Sequence, residues 1–166
     1  MADSIADAII SAFGDKLPGE LIVFIISMLP VVELRGGIIA AKLLDISFIK
    51  AFVICFMGNF LPVPFILIFI KKIFDFLRDK KRFSGIIKKL EDKTYMRSEK
   101  ALRWKGWGLL LFVAVPVPGT GGWTGSLIAA LLEMKMKVSL PVIALGIFIA
   151  DFIMCVLFYF ILGSVI

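Results

Sequence analysis

The chain has 166 residues, of which 60% are hydrophobic and 16 are phenylalanine, with a formal net charge of +6. Soluble domains sit nearer half apolar, so a chain of this composition belongs to the membrane class, with lipid covering most of its apolar surface. With no histidine, it cannot build Ser–His or Cys–His nucleophilic dyads or histidine metal sites.

The N-terminal stretch carries Asp3, Asp7 and Asp15 without a basic n-region, a poor secretory signal that is expected to be retained. Ile5, Ile9 and Phe13 recur every fourth residue and predict a short amphipathic helix over 1–16, lying on the membrane surface. Two apolar pieces follow, Leu21–Pro30 and Gly36–Leu44, each about half a bilayer long at ~1.5 Å per residue. "PVVELRGG" separates them and sets Glu33 and Arg35 between Pro30 and the pair Gly36–Gly37. Ala51–Ile70 is then long enough to span, since a bilayer core needs about 20 apolar residues in a helix.

Residues 71–105 hold 13 of the 19 basic residues and five acids. Phe83, Ile86, Ile87 and Leu90 follow the i, i+3, i+4, i+7 pattern of an amphipathic helix. The positive-inside rule makes this linker cytoplasmic and leaves both termini outside. The patch suits anionic lipid headgroups; nucleic acid is not an expected partner, because no basic soluble domain accompanies it.

Beyond the linker the pattern recurs. Gly106–Pro116 and Gly125–Leu132 are again half-length and flank a turn holding Pro116, Pro118, Gly119, Thr120, Gly121, Gly122, Trp123 and Thr124; Val138–Ile166 is a second span. A half-helix, a Pro/Gly turn and a second half-helix read as a re-entrant hairpin whose tip reaches toward the midplane. The alternative is one kinked spanning helix per pair. "GGIIAAKLL" from Gly36 aligns with "GSLIAALLE" from Gly125, and "GNFLP" from Gly58 can be set against "ADFIM" from Ala150, which puts Asn59 opposite Asp151.

The expected fold is therefore all-α and integral to the membrane: an inverted repeat of two units (17–70 and 106–166), each a re-entrant hairpin plus a transmembrane helix, joined by the basic helical linker. Inverted repeats with broken helices meeting near the midplane mark secondary transporters.

Glu33, Arg35 and Asp151 are the ionisable groups this layout puts deep in the membrane, at about 2.5–3.5 kcal/mol each on insertion scales, so each needs a partner or a wet cavity. They read either as structural ion pairs, Arg35 with Glu33 or with Asp151, or together with Asn59 as a substrate or proton path. A buried carboxylate near a guanidinium is pulled both ways in its proton affinity and can be poised to exchange protons. Arg35 suits a phosphate or carboxylate, and hairpin helix N-termini offer amides to an anion. Trp123 is an aromatic plug or a substrate contact. Cys55 and Cys155, a hundred residues apart in apolar runs, read as small hydrophobes. "GTGGWTGS" lacks the lysine and preceding strand of a phosphate loop. No enzyme activity, cofactor or metal is expected.

"PVVELRGGI" (Pro30–Ile38) and "VPVPGTGGWTGSLIAALL" (Val115–Leu132) resemble the two signature segments of the putative small multidrug export protein family. The resemblance runs from about Leu17 to the C-terminus. The family often has proline shortly after the Gly-Gly pair, where this chain has Ile39. More remotely the pattern is similar to the DedA/VTT superfamily of membrane proteins with paired re-entrant hairpins, associated with lipid translocation and proton-dependent transport. Glu33 and Arg35 match that superfamily's charged hairpin positions, whereas the second hairpin carries neither acid nor arginine. The resemblance implies a prokaryotic plasma-membrane exporter of small amphiphilic or anionic substrates, proton-coupled. The alternatives are a lipid translocase for polyprenyl-phosphate or phospholipid, and a non-transporting scaffold. Two spans and two hairpins make a thin wall for a pathway, so a homodimer is expected.

Overall fold

The computed structural model describes residues 17–78, 99–117 and 119–161. The expected N-terminal helix, the amphipathic segment of the linker and Pro118 lie outside the described residues. All described elements are helical, with no strand among them: α1 Gly19–Met28, α2 Glu33–Leu43, α3 Phe48–Phe60, α4 Pro62–Arg78, α5 Glu99–Ala114, α6 Gly122–Leu131 and α7 Met136–Val156, which runs into a π-turn at Leu157–Ile161.

The breaks follow from local chemistry. α1 begins where the Pro18 carbonyl accepts from Leu21 and Ile22. It ends because Leu29, which precedes Pro30, is extended at φ −71° and ψ 134°, the conformation a following proline imposes. Glu20 at its start bonds Lys50 at 3.2 Å in the open; a backbone amide and then Lys50 hold its carboxyl below the usual range. α5 stops at Ala114, two residues short of Pro116. Between α3 and α4 the backbone stays helical at Leu61 (φ −53°, ψ −44°). Pro62 and Pro64 lack the N–H groups that would continue the ladder, which makes this a proline interruption within one long helix.

Phe48–Ile70 and Met136–Ile161 are long and apolar enough to cross a membrane, and only 33% and 39% of their most apolar windows are buried within the protein. A soluble core helix would be mostly covered. Here Ile49, Val53, Met57, Leu61, Phe65 and Phe69 form an exposed apolar stripe along the first span, at helical spacing. Leu145, Phe148 and Phe152 do the same on the second. Apolar surface of this extent on two helices long enough to span is what a lipid-facing protein presents, consistent with a membrane protein.

Packing takes the same form at both ends of the chain. α1 lies on α2 and α3, while α5 lies on α6 and α7. The spans touch through α3 and α7, and α4 packs on α6 while the π-turn packs on α2. Glycines set the closest crossings. A Cβ on Gly58 would come within 2.8 Å of the Phe24 carbonyl oxygen and of Ser27 on α1; one on Gly146 would meet Val113 at 2.7 Å and the Leu110 carbonyl oxygen at 3.3 Å on α5. Gly37 lies against Ser27 and Cys55, and Gly125 against Val113 and Leu109. Small residues of this kind let helices approach where lipid offers no hydrophobic drive.

The exits of α2 and α6 also match. Ile46 N–H bonds the Ala41 carbonyl at 2.9 Å and Asp45 N–H the Lys42 carbonyl at 3.2 Å; Met134 bonds Ala129 at 3.0 Å and Glu133 bonds Ala130 at 3.0 Å. Asp45 and Glu133 take φ 53° and 52°. Both ends are Schellman motifs, with Ile46 and Met134 buried as their apolar clasps. These features recur 88 positions apart: Gly37 to Gly125, Asp45 to Glu133, Gly58 to Gly146. The alignment of Gly36 with Gly125 is therefore one residue off, and at this interval Asn59 corresponds to Ile147, not to Asp151. Apolar repeats as short as "IIAA" score equally well in neighbouring registers, whereas the glycine contacts do not.

Candidate functional site

α2 begins at Glu33, which places Gly36 and Gly37 inside the helix and not in the turn; they make room for Val32 and Ile26, and for Ser27 and Cys55. The first turn is thus Leu29–Val32, with Pro30 exposed and Val32 buried. Glu33 itself takes φ 52° and is 4% exposed, a strained start that aims its carboxylate away from its own helix. In the second hairpin the turn runs from Val115 to Gly121, with Gly119 and Gly121 at φ 88° and 150°. Gly122, Trp123, Thr124 and Gly125 are helical, in α6.

Thr120 organises that turn. Its hydroxyl donates to the Val115 carbonyl at 2.6 Å and accepts from Val117 N–H at 3.3 Å. It also accepts from Arg35 Nη2 at 3.1 Å, and the same guanidinium nitrogen donates to the Thr120 carbonyl at 2.6 Å. One nitrogen of the first hairpin's cation is therefore committed to Thr120 of the second. Glu33 and Arg35 form no direct ion pair, and among the described residues Arg35 has no other hydrogen bond.

The carboxylate crosses the same gap. α6 starts at Gly121, an N-cap with no side chain to satisfy the first amides. Glu33 Oε1 accepts from Trp123 N–H at 3.4 Å, and Glu33 Oε2 lies where a Cβ on Gly121 would stand. Glu33 thus caps a helix from the other hairpin, at the end where the helix dipole favours an anion. Trp123 returns the contact: its indole Nε1 donates to the Met28 carbonyl at 3.1 Å, at the open C-terminal end of α1. The two tips cap one another.

Asn59 is fully buried, and neither its Nδ2 nor its Oδ1 has a partner. Its Oδ1 is 3.2 Å from where a Gly122 Cβ would stand, and Ile147 Cδ1 is 2.9 Å from the same point. The Asn59 side chain therefore belongs with the α6 N-terminus. Asp151 does not join this group. It is fully buried, receives the Cys155 thiol at 3.8 Å, neighbours Cys55, and leaves Oδ2 unpartnered. The structure brings Glu33, Arg35, Thr120, Gly121, Gly122, Trp123 and Asn59 together. It sets Asp151 apart, at the α3–α7 crossing, with Ser27 and Gly37 also against Cys55.

Sequence reasoning missed the Met28 carbonyl, Ser27 and the two cysteines as parts of these clusters; a backbone acceptor leaves no mark in a sequence. It also missed Tyr159, whose hydroxyl donates to the Ile46 carbonyl at 2.5 Å under Lys42, itself 5.2 Å from the ring centroid. The arrangement has no cluster of metal ligands among the described residues. It offers an anion-favouring helix end, a half-buried guanidinium and an unpaired carboxamide between two tips joined by side-chain-to-backbone bonds.

A family model described as "Putative small multi-drug export protein" covers residues 33–153, from the strained glutamate to the second span. No curated protein matches, and no solved structure does.

Proposed function

The chain belongs to the putative small multi-drug export protein family, and on that premise we infer that it is a membrane transporter of small amphiphilic or anionic substrates, proton-coupled, with its site between two opposed re-entrant hairpins. It does no covalent chemistry and holds no cofactor. Its partners are lipids, the substrate, protons and a second copy of itself.

The observation that carries the reading is the reciprocal capping of the tips: Glu33 on the α6 amides, Arg35 on Thr120, and Trp123 on Met28. Non-helical backbone within a bilayer has to be buried in protein or line a cavity, and each tip covers the other's open backbone groups. The inverted repeat is supported by the contacts and caps that recur at a constant interval. It is supported further by the spans' antiparallel neighbours, with Cys55 near Cys155 and Asn59 near Ile147. Between an inverted pair, parting the tips on one side while they stay closed on the other gives alternating access. Glu33 is the proton-exchanging group of this scheme: protonation removes the charge that α6 favours and weakens the closed state. In the membrane the linker faces the cytoplasm and both termini lie outside.

The test is flux in proteoliposomes of the full chain. A library of amphiphilic anions is screened for substrate-driven proton movement, comparing wild type with Glu33→Gln. Coupled flux that Glu33→Gln abolishes supports the reading; no substrate-dependent proton movement, or flux indifferent to that change, overturns it. The hairpins are tested separately: cysteines at Val32 and Thr120 should resist impermeant thiol reagents from at least one side and react with small permeant ones.

A further inference from the structure

The N-terminus of α6 is more than a cap for Glu33. Three features there are left incomplete. The Glu33 carboxylate is held by one long amide contact, 3.4 Å from Trp123 N, where charge-assisted bonds ordinarily close to about 2.7–2.9 Å. Asn59, fully buried, leaves both atoms of its carboxamide unpartnered, with Oδ1 beside Gly122, although buried polar side chains nearly always find partners. Arg35 commits Nη2 to Thr120 and has no further bond among the described residues. Free amides, an unpaired carboxamide and a guanidinium with donors to spare converge on a point that a carboxylate already occupies loosely.

We propose that this point is an oxyanion subsite, that Glu33 is its resident surrogate in the closed state, and that the carboxylate or phosphate of an amphiphilic substrate exchanges with Glu33 there. The proposal deepens the transport reading and rests on it. The oxyanion takes the α6 amides that Glu33 vacates and completes its shell with Arg35 and with Asn59 Nδ2, once the Asn59 carboxamide, which no hydrogen bond holds, turns over to bring Nδ2 where Oδ1 lies. The apolar part of the substrate has Val31, Val115 and Val117 to lie on, all well exposed at the two tips. Gly121 and Gly122 are required at this point because a Cβ on the first would fall on the Glu33 carboxylate and one on the second would crowd Asn59 and Ile147. Competition for one set of amides also couples the events: substrate cannot bind without freeing Glu33, and a freed Glu33 no longer ties the tips.

The subsite predicts a paradoxical variant. Trp104→Phe and Trp107→Phe leave Trp123 as the single tryptophan of the three, a reporter seated at the site. Full-length protein in zwitterionic nanodiscs is titrated with octanoate, octyl phosphate, inorganic phosphate and octanol while Trp123 emission is followed. Saturable responses to octanoate or octyl phosphate, absent for octanol, are expected. Glu33→Gln should tighten binding about tenfold, because a competitor that holds the site lowers apparent affinity by the fraction of time it is bound. Asn59→Leu should weaken binding by a similar factor; if that variant does not fold, Asn59→Asp, which keeps the size and adds a repelling charge, should abolish it.

A response to nanodiscs doped with phosphatidic acid, without one to octyl phosphate, assigns the oxyanion to a lipid headgroup. The reverse assigns it to a free solute. Octanol binding as well as octanoate, or Glu33→Gln binding no tighter than wild type, overturns the subsite. Tightening without any coupled flux would leave the subsite standing and remove the transport reading, and coupled flux without tightening would do the opposite.

Discussion

Trp123 reaches 95 residues back along the chain to donate its indole N–H to the Met28 carbonyl at 3.1 Å. The contact closes the open end of one half-helix with a side chain from the start of another. It makes Trp123 a fastener between hairpins, where the sequence left it either a plug or a substrate contact.

Replacing Trp123 with Phe keeps the ring and removes the donor. A lost side-chain hydrogen bond of this kind is worth about 1 kcal/mol, more if the Met28 carbonyl is left buried and unpaired. Thermal unfolding in detergent should fall accordingly, and a cysteine at Thr120 should label faster because the tips part more often. Unchanged labelling would mean that the indole bond does not restrain the tips.

Arg35 makes two bonds from one nitrogen to a single residue. Hydrogen bonds to charged groups contribute about 1.5–3 kcal/mol, and a lysine ammonium can take one of the two but lacks the planar fork. Stability and transport should therefore rank Arg35, then Arg35→Lys, then Arg35→Ala. Thr120→Val should reproduce only part of the alanine effect, since it removes the hydroxyl contact with Arg35 and the Val115 staple but keeps the Thr120 carbonyl that Arg35 bonds at 2.6 Å. Equal behaviour of Arg35→Lys and Arg35→Ala in flux assays would point to a substrate-facing role for the fork alone.

The glycine crossings give a paired experiment. Gly58→Ala and Gly146→Ala each drive a Cβ into a neighbouring helix, and overpacking of this sort costs typically about 1–3 kcal/mol. Gly108→Ala, inside α5 with nothing within 4 Å, should instead stabilise by up to about 1 kcal/mol through helix propensity. Melting temperatures of the three variants decide it: two similar losses and one gain are expected.

Asp45 ends α2 with φ 53°, a conformation that costs an L-residue roughly 1–2 kcal/mol and glycine almost nothing. Asp45→Gly should hold or slightly raise the melting temperature. Asp45→Val, β-branched and intolerant of positive φ, should lower it and shift the Ile46 carbonyl that Tyr159 grips.

Glu20 sits outside the spans with its carboxyl lowered by a helix-start amide and by Lys50. A depressed carboxyl contributes stability above its unfolded range and loses that contribution as pH falls through the folded value. Because the pair is exposed, salt screens it. Glu20→Gln should leave melting at neutral pH nearly unchanged and remove only a shallow acid-side slope.

How much of this was readable beforehand depends on what each feature consists of. The spans are composition over tens of residues, and the first was legible to within a few positions: Ala51–Ile70 was expected and Phe48–Ile70 observed. The piece expected at Gly106–Pro116 instead begins at Glu99, inside the charged linker, because helix propensity does not stop where hydropathy does. Prolines marked the ends of α1 and α5 because proline acts on its immediate neighbour. The charged pair in the first tip was legible as important, but its partners were not. Arg35 bonds a backbone carbonyl and Glu33 a backbone amide, and main-chain groups are identical at every position of a sequence. Asp151 looked like a partner for Arg35 because both are charged; packing places it with thiols instead. The interval at which the glycine contacts recur was not legible, because it is fixed by which glycine faces which helix.

The Tyr159 contact has a mechanical meaning. The π-turn at the end of the second span hands a phenol hydroxyl to Ile46, the clasp residue where the first hairpin leaves α2. Phe48, just beyond that corner, is wedged edge-on against Tyr159 and Phe160 at 5.7 and 5.4 Å. The far end of one half of the molecule is thereby hitched to the elbow of the other. The two halves are joined at their periphery as well as at their centre.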